Sequence, residues 1–311
     1  MIDVRPVIPS ESEMLNELTG WRGIEESPRP DIEEILNGIA PVDAVAIYDV
    51  GQGAATALLS HGVPVLYFDL GGSAIGNWRS FPESLRQFCM TAKPPVVLSH
   101  WDWDHWSSAL RDLRSLERPW ILPIQDGSGD LGAVHSRFLA MLRAYGANIH
   151  WWHYGTSAIA SPRTGVTLFQ AQGPTKSRNE SGLALSIVRP DCGVLLPGDA
   201  SLQHVCSSSS SLDYLMVPHH GGRTSLGTVP SPKDKWRSHL VYSYGIGNSY
   251  LHPLPRTVRA LRRSWKKNTH TALRDSSGLG HVGIDLAGRN QRRKLPPCGH
   301  CICQLGIRQW L

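Results

Sequence analysis

The chain has no long hydrophobic run and few cysteines. Its longest apolar stretches, at residues 96–98 and 194–196, are far shorter than the roughly 20 residues that a membrane helix needs. The first residues are acidic and polar where a signal peptide would carry a positive charge followed by an apolar segment. Six cysteines among 311 residues are too sparse for a disulfide scaffold. These absences predict a soluble, cytoplasmic protein with no membrane partner.

The composition indicates one large folded domain. Hydrophobic residues make up 41% of the chain, which is enough to bury a sizeable core without disulfides or structural metals. The sequence contains no internal repeat. We predict an N-terminal extension, residues 1–40, that packs on the core, a main domain at 41–288, and a basic, cysteine-containing tail at 289–311.

The net charge of +5 is concentrated late in the chain. Residues 256–267, RTVRALRRSWKK, form one basic block, and the second consists of Arg289, Arg292, Arg293 and Lys294. This distribution is expected of a surface that attracts polyanions such as nucleic acid, and the alternative is a solvated helix face. The tail also carries Cys298, His300, Cys301 and Cys303, which could form half of a zinc site but lack a second ligand pair.

Short β-rich segments alternate with amphipathic helices along most of the chain. The predicted strands are residues 45–48, 55–59, 65–68, 96–98, 166–169, 183–188, 194–196, 214–217 and 240–244. Apolar residues at helical spacing predict helices at 31–39, 106–116 and 135–145. Strands at both ends with helices between them predict an α/β fold in which two packed sheets lie under outer helices, as a four-layered sandwich.

Residues 99–105, SHWDWDH, hold the densest group of side chains that can bind a metal. His100, Asp102 and Asp104 alternate along an extended segment, and the turn into the following helix can bring His105 beside them. Carboxylates held close together away from water repel each other unless a cation offsets their charge. An exposed polar loop would not need both histidines next to tryptophans. We therefore predict a metal site here.

This segment resembles the HxHxDH signature of the metallo-β-lactamase superfamily, with Asp102 in place of the middle histidine. Within the superfamily it looks most similar to the hydrolase domain of ComEC-type DNA-uptake proteins, which carry an HxDxDH form. Five further motifs follow the order of that domain: DVGQG at 49–53, FDLGG at 68–72, LLPGD at 195–199, VPHHGG at 217–222 and SYGIGNSYLHP at 243–253. Each motif alone is weak, but together they are specific. The resemblance implies the αββα sandwich of that superfamily, flanked by N- and C-terminal extensions.

The resemblance also implies a centre with two divalent metal ions. The ligands that it implies are His100, Asp102, Asp104, His105, Asp199, His219 and His252. Asp199 would bridge the two ions, His252 would be the late ligand of the second ion, and His219 would be a ligand or a substrate contact. Carboxylate ligands favour manganese, with zinc as the alternative. The superfamily usually supplies one more histidine before the bridging aspartate, and the candidates His135, His150 and His153 have no recognisable context.

Candidate catalytic and substrate-binding residues surround these ligands. The predicted catalytic residues are Asp104, Asp199, His219 and Asn248, and the predicted substrate contacts are His220, Arg223, Thr224, Ser225, Tyr250, Trp101 and Trp103. The polar residues after the histidine pair could contact a phosphate, those beside His252 could orient the scissile group, and the motif spacing predicts both tryptophans at the mouth of the site. The alternative interpretation is that they are turn-forming polar residues and packed aromatics.

Two divalent ions would activate water for attack on an ester or amide. The motif set, the oxygen-rich site and the basic blocks predict a phosphodiesterase or nuclease that acts on nucleic acid. Two alternatives remain. One is a hydrolase of a small ester, lactam or cyclic nucleotide, and the other is a binding or regulatory subunit with protein partners in a multi-protein system.

Overall fold

Two mixed β-sheets form the centre of the fold. The structure is a computed structural model that describes residues 21, 24–73, 75–205, 211–225, 227, 229–286 and 309–311. Among them, the first sheet has eight strands, in the spatial order β15 (Gln309–Trp310), β14 (Val282–Asp285), β1 (Ala44–Ile47), β2 (Ala55–Ser60), β3 (Val63–Leu70), β4 (Val96–Val97), β5 (Trp120–Pro123) and β6 (Ile149–Trp152). Strands β14, β1, β2 and β3 pair antiparallel, and β3 to β6 run parallel.

The second sheet combines an antiparallel half with a parallel half. Within the described ranges it has seven strands, in the order β13 (Lys267–His270), β12 (His239–Tyr242), β11 (Tyr214–Met216), β10 (Gly193–Leu196), β9 (Leu183–Val188), β8 (Val166–Gln170) and β7 (Ile159–Ser161). Strands β7 to β10 pair antiparallel, whereas β10 to β13 run parallel. The carboxyl ends of β10, β11 and β12 therefore share one edge.

Apolar side chains from both sheets meet in a core between them. The residues in this layer include Val45, Ile47, Leu58, Phe68, Leu168, Leu185, Val194 and Leu196. Helix α1 (Arg29–Gly38) adds Ile32 and Leu36 to the same core. Helix α2 (Ala133–Ala144) covers the outer face of the first sheet, and α3 (Leu202–Val205) and α4 (Pro255–Leu261) cover the second. This arrangement confirms the predicted αββα four-layer sandwich.

The predicted helix at 106–116 forms two 3₁₀ turns instead, Ser107–Arg111 and Leu113–Glu117. Asp112 interrupts it with an extended backbone, at φ −132° and ψ 90°, and its carboxylate accepts the backbone N–H of Arg114 at 3.3 Å. Further 3₁₀ turns lie at Ile75–Ser80, Trp103–His105 and Asp126–Ser128, and a non-helical turn lies at Pro218–Gly221.

Several predictions fall on residues that the structure does not describe. They include most of the N-terminal extension, the second basic block at Arg289 to Lys294, and the tail residues Cys298, His300, Cys301 and Cys303. The domain boundaries therefore stay predictions. Where the chain is described, no helix has both the length and the apolar character needed to span a membrane.

Candidate metal centre

The site lies where the carboxyl ends of strands from both sheets meet. Strand β4 leads into residues 99–105, β10 into Asp199, β11 into the His219–His220 pair, and β12 into the loop at 243–253. Ligand sites of α/β sheets commonly form at the carboxyl ends of parallel strands, because side chains from several loops converge there. The fold thus brings together motifs that lie far apart in the sequence.

The ligand atoms form two overlapping groups. His100, His105 and Asp199 place one ligand atom each within 4.8 Å of one another, and so do Asp104, His105 and His220. The individual contacts are 3.1 Å for His105 Nε2 to Asp199 Oδ1 and 3.4 Å for His220 Nε2 to Asp104 Oδ2. Two ligands of one tetrahedral ion, each bonded at about 2.1 Å, lie about 3.4 Å apart. The spacing therefore fits bound metal.

Each imidazole of the site is anchored by one nitrogen and offers the other. His105 Nδ1 contacts Asp69 Oδ2 at 2.7 Å, His220 Nδ1 donates to the Ser243 carbonyl at 2.8 Å, and His100 Nδ1 lies 3.0 Å from Ser99 Oγ. The three Nε2 atoms are buried and have no hydrogen-bond partner. A buried nitrogen without a partner costs about 1–3 kcal/mol, and a metal ion would use its lone pair. This donor set fits divalent metal.

Asp69 is a site residue that sequence reasoning missed. It is the penultimate residue of β3, has a left-handed conformation, at φ 63°, and is fully buried. Its carboxylate accepts the Ser99 backbone N–H at 2.6 Å and the Ser99 hydroxyl at 2.8 Å, in addition to its contact with His105. Asp69 therefore fixes the ring of His105 and the start of the ligand segment. Its place in the FDLGG motif was the available signal.

The carboxylates are held in the ionised form that binds metal. Burial alone would raise the pKa of Asp199, but the imidazoles of His105, His219 and His220 lower it well below its usual value. Burial likewise opposes ionisation of Asp102, and the neighbouring His100 lowers its pKa to about 2.

The pKa values of two buried imidazoles, His105 and His220, are shifted in the opposite direction. Burial alone would lower the pKa of His105, but Asp199 and Asp69 raise it well above the usual value. The pKa of His220 is also raised, because Asp199 and Asp104 outweigh its burial.

The two oxygens of Asp199 face different groups. Oδ1 lies near His105 and His220, at 3.1 and 3.7 Å from their Nε2 atoms. Oδ2 lies near His100 and His219, at 3.8 and 3.7 Å. A carboxylate in this position can bridge two cations. His219 and His220 both have left-handed backbones, at φ 52° and 55°, and such strain is typical of functional sites.

His252 lies outside both groups of ligand atoms in the described residues, whereas His220 lies inside one of them. The ring centre of His252 is 5.4 Å from that of His219, and its Nδ1 is 3.4 Å from Gln52 Nε2. Burial and the nearby imidazoles of His220 and His219 lower the pKa of His252 to about 4, so the ring is neutral. Gly222 makes room for this ring, because an added Cβ would lie 2.5 Å from His252 Nε2. His252 borders the centre.

The two tryptophans predicted at the mouth of the site, Trp101 and Trp103, differ in how deeply they are buried. Trp101 is fully buried, donates from Nε1 to the Pro123 carbonyl at 2.8 Å, and stacks against Trp151. It therefore cannot line the mouth of the site. Trp103 is partly exposed and stacks parallel to Trp106 with 5.8 Å between ring centres. Tyr250 is exposed, and its ring centre lies 5.6 Å from that of His252.

The polar candidates mostly support the loops. Asn248 donates to the carbonyls of Gly245 and His252 and accepts the backbone N–H of His252, so its amide holds the His252 loop. Thr224 Oγ1 and the backbone N–H of Ser225 both donate to Ser201 Oγ, at 3.0 Å each. Arg223, next to them, is exposed.

None of the three histidines considered for the additional ligand position joins a ligand group in the described residues. His135 Nδ1 accepts a hydrogen bond from Trp106 Nε1 at 3.1 Å, so the neutral ring carries its proton on Nε2. Burial and the charge of Arg178 lower its pKa to about 4. His150 lies on β6, and His153 is exposed beyond that strand.

Comparisons with known proteins give limited similarity. No family model matches the chain. A curated relative, recombination protein 2 of Haemophilus influenzae, is 28% identical over 194 residues, which is 60% of this chain and 22% of the relative. The chain thus spans about a fifth of that relative's length.

Among solved structures, zinc-bound PqqB from Methylobacterium extorquens is 10% identical with a TM-score of 0.41, covering 74% of this chain and 98% of that one. Tm1679, a metal-dependent hydrolase of the β-lactamase superfamily, is 12% identical with a TM-score of 0.43, covering 73% and 95%.

Proposed function

We propose that the chain is a metal-dependent hydrolase of the metallo-β-lactamase superfamily, similar to the ComEC-type domain, that cleaves phosphodiester bonds in nucleic acid. One observation carries the proposal. Three buried imidazoles converge through unpartnered Nε2 atoms on ionised carboxylates, each imidazole being held in place through its other nitrogen. Such an arrangement is costly unless a cation completes it.

The geometry supports two sets of four ligands. The first ion would be held by His100, Asp102, Asp199 Oδ2 and His219, and the second by Asp104, His105, His220 and Asp199 Oδ1. His219 would thus complete the first set in place of the additional histidine, for which His135, His150 and His153 have no recognisable context in the sequence. The carboxylate-containing sets suit manganese or zinc.

Bound divalent ions would supply an activated water and stabilise the charge that develops on the attacked group. The surrounding residues hold the geometry. Asp69 and the Ser243 carbonyl orient His105 and His220. If Gln52 Nε2 donates to Nδ1 of the neutral His252, the Nε2–H of that ring is left to hydrogen-bond a substrate oxygen. Asn248 fixes the loop on which His252 lies.

The charge around the site supports a polyanionic substrate. Residues 235–274 contain no Asp or Glu. Within residues 256–267, six cationic side chains are exposed, and none forms an ion pair with another described residue: Arg256, Arg259, Arg262, Arg263, Lys266 and Lys267. Helix α4 starts this series directly after the His252 loop, and Leu254 N–H donates to the Gly221 carbonyl beside the histidine pair. The curated relative is named for recombination, a process of nucleic acids.

The test measures hydrolysis by the metal-loaded protein. Purified protein with manganese or zinc should cleave bis(p-nitrophenyl) phosphate and a labelled oligonucleotide. Asp199→Ala should lower both rates on the order of 10³-fold, because it removes the bridging carboxylate. Asp126→Asn, at an exposed 3₁₀ turn, is the matched control and should leave them unchanged. Cleavage that survives Asp199→Ala, or activity restricted to lactams or carboxylic esters, would contradict the proposal.

A further inference from the structure

An exposed apolar rim borders the candidate metal centre. We define the aromatic rim as Trp78, Ile246, Tyr250 and Leu251, which are all large and exposed; Trp78 is 62% and Tyr250 57% accessible. Trp78 comes from the 3₁₀ turn Ile75–Ser80, and the other three come from the loop after β12. Exposed apolar groups that cluster beside a polar site usually mark a binding surface.

A partly buried hydrogen bond joins the two segments of the rim. The Ser249 backbone N–H donates to Asn77 Oδ1 at 2.7 Å, and Asn77 is buried. Trp78 directly follows Asn77, and Tyr250 directly follows Ser249. The hydrogen bond therefore holds the backbones next to Trp78 and Tyr250 together, although the two residues are distant in the sequence.

The rim is close to the ligand residues. The Tyr250 ring centre lies 5.6 Å from that of His252, which lies 5.4 Å from that of His219. His219 Nε2 lies 3.7 Å from Asp199 Oδ2. A substrate that reaches the ligand atoms would therefore pass close to Tyr250, the part of the rim nearest to them.

The chemistry of the rim fits unpaired bases. The Arg79 guanidinium is exposed and lies 5.3 Å from the centre of the Trp78 ring, which combines a flat aromatic face with a positive charge. Stacking on aromatic side chains, with cations along the backbone, is how proteins bind single strands without reading sequence. Bases within a duplex are already stacked on each other, so their faces are not available.

We propose that the aromatic rim is a stacking platform for unpaired bases next to the scissile phosphodiester, and that the substrate is single-stranded nucleic acid. This inference rests on the proposed function, since it assumes a phosphodiester at the metal centre. It assigns a binding role to Trp78, which no motif of the chain indicates.

The chain offers a matched control for Trp78. Trp236 is 67% exposed and also lies beside a cation, with Lys235 Nζ 5.7 Å from its ring centre. It precedes the amino end of β12, whereas the rim loop follows the carboxyl end of that strand. Trp236 therefore has the same local chemistry at the opposite end of the sheet.

The experiment measures binding of a fluorescein-labelled single strand of about ten nucleotides, and of its duplex, by fluorescence anisotropy. EDTA is present so that no cleavage occurs. The wild type should bind the single strand more tightly than the duplex. Trp78→Ala should weaken single-strand binding by about five- to a hundred-fold, the usual range for loss of one stacked base. Trp78→Phe should restore most of the affinity, and Trp236→Ala should change nothing.

Three results would overturn the inference: duplex bound as tightly as single strand, Trp78→Ala binding like the wild type, or Trp78→Phe as weak as Trp78→Ala. Hydrolysis of bis(p-nitrophenyl) phosphate by the wild type reports separately on the proposed function. Absence of hydrolysis with Trp78-dependent binding intact would remove the nuclease proposal and leave the platform. Hydrolysis without Trp78-dependent binding would remove the platform and leave the nuclease proposal.

Discussion

At the scale of single residues, the site depends on partners that ligand motifs do not reveal. The HxDxDH pattern locates candidate ligands, since their spacing along one segment is local. It cannot locate Asp69, whose contact with His105 depends on how β3 and β4 pair in the first sheet. Nor can it decide whether His220 or His252 is the late ligand of the second ion, because that depends on how the loops after β11 and β12 meet.

Replacing Asp69 tests the support of His105. Asp69→Asn keeps the shape of the side chain but removes the charge that orients the ring, so metal affinity or activity should fall about 10- to 100-fold. Metal titration monitored by calorimetry measures the change. Asp126→Asn serves as the control, and an Asp69→Asn protein with unchanged affinity would show that Asp69 only packs the core.

The late ligand of the second ion can be identified from metal content. His220→Ala should lose about one ion per chain, because it removes a donor that lies within the ligand group of Asp104 and His105. His252→Ala should keep both ions and lose activity. Elemental analysis by mass spectrometry gives the stoichiometry. Loss of an ion from His252→Ala alone would restore the assignment made from sequence.

At the scale of secondary structure, the hydrophobic pattern predicts those strands and helices whose formation depends on the local sequence. Every predicted strand is present, because each is an apolar run bounded by turn residues. Strand β13, KNTH, was missed because it is polar, and its place depends on pairing with β12 at the sheet edge. The helix predicted at 106–116 was wrong, because apolar residues three apart also fit 3₁₀ turns, and Asp112 separates two of these.

Sequence patterns also do not predict close contacts between elements that are distant in the sequence. Gly71, just after β3, lies against the ligand segment: the backbone N–H groups of Ala54 and Gly72 both donate to the Asp104 carbonyl, at 3.0 and 3.1 Å. A Cβ at position 71 would lie 1.7 Å from that carbonyl oxygen. The glycine of the FDLGG motif is thus explained by a neighbour that is distant in the sequence.

Adding a methyl group at this position should damage both stability and the site. Gly71→Ala must displace the Asp104 backbone, so we expect a loss of about 3 kcal/mol in the free energy of unfolding, together with weaker metal binding. Urea unfolding with EDTA present measures the first effect. Gly38→Ala, at the end of α1, is the control, because its added Cβ meets nothing within 4 Å and should change stability by less than about 1 kcal/mol. Equal stability of the two variants would contradict this reading of Gly71.

At the scale of the whole molecule, the candidate metal centre has two exposed surfaces nearby: the aromatic rim, which includes the loop after β12, and the cations that begin on α4 directly after that loop. The ligand carboxylates are negative, whereas the exposed surface that begins at α4 is positive over residues 256–267. A small neutral substrate would gain nothing from that surface. A polyanion would gain affinity through release of its condensed counterions, which makes its binding strongly dependent on salt.

This dependence gives a test of the basic surface that is independent of the metal. Arg256 and Arg259 are exposed on α4, one turn apart, and begin directly after the His252 loop. In the double variant Arg256→Gln/Arg259→Gln, the slope of log affinity against log salt for a single strand should become shallower by about 0.7 for each phosphate that the protein no longer neutralises. Arg143→Gln, at an exposed position of α2 over the other sheet, should leave the slope unchanged.

Because a stacking residue such as Trp78 contributes no counterion release, Trp78→Ala should lower the affinity at every salt concentration and keep the wild-type slope. A double variant with the wild-type slope would mean that the strand does not follow α4.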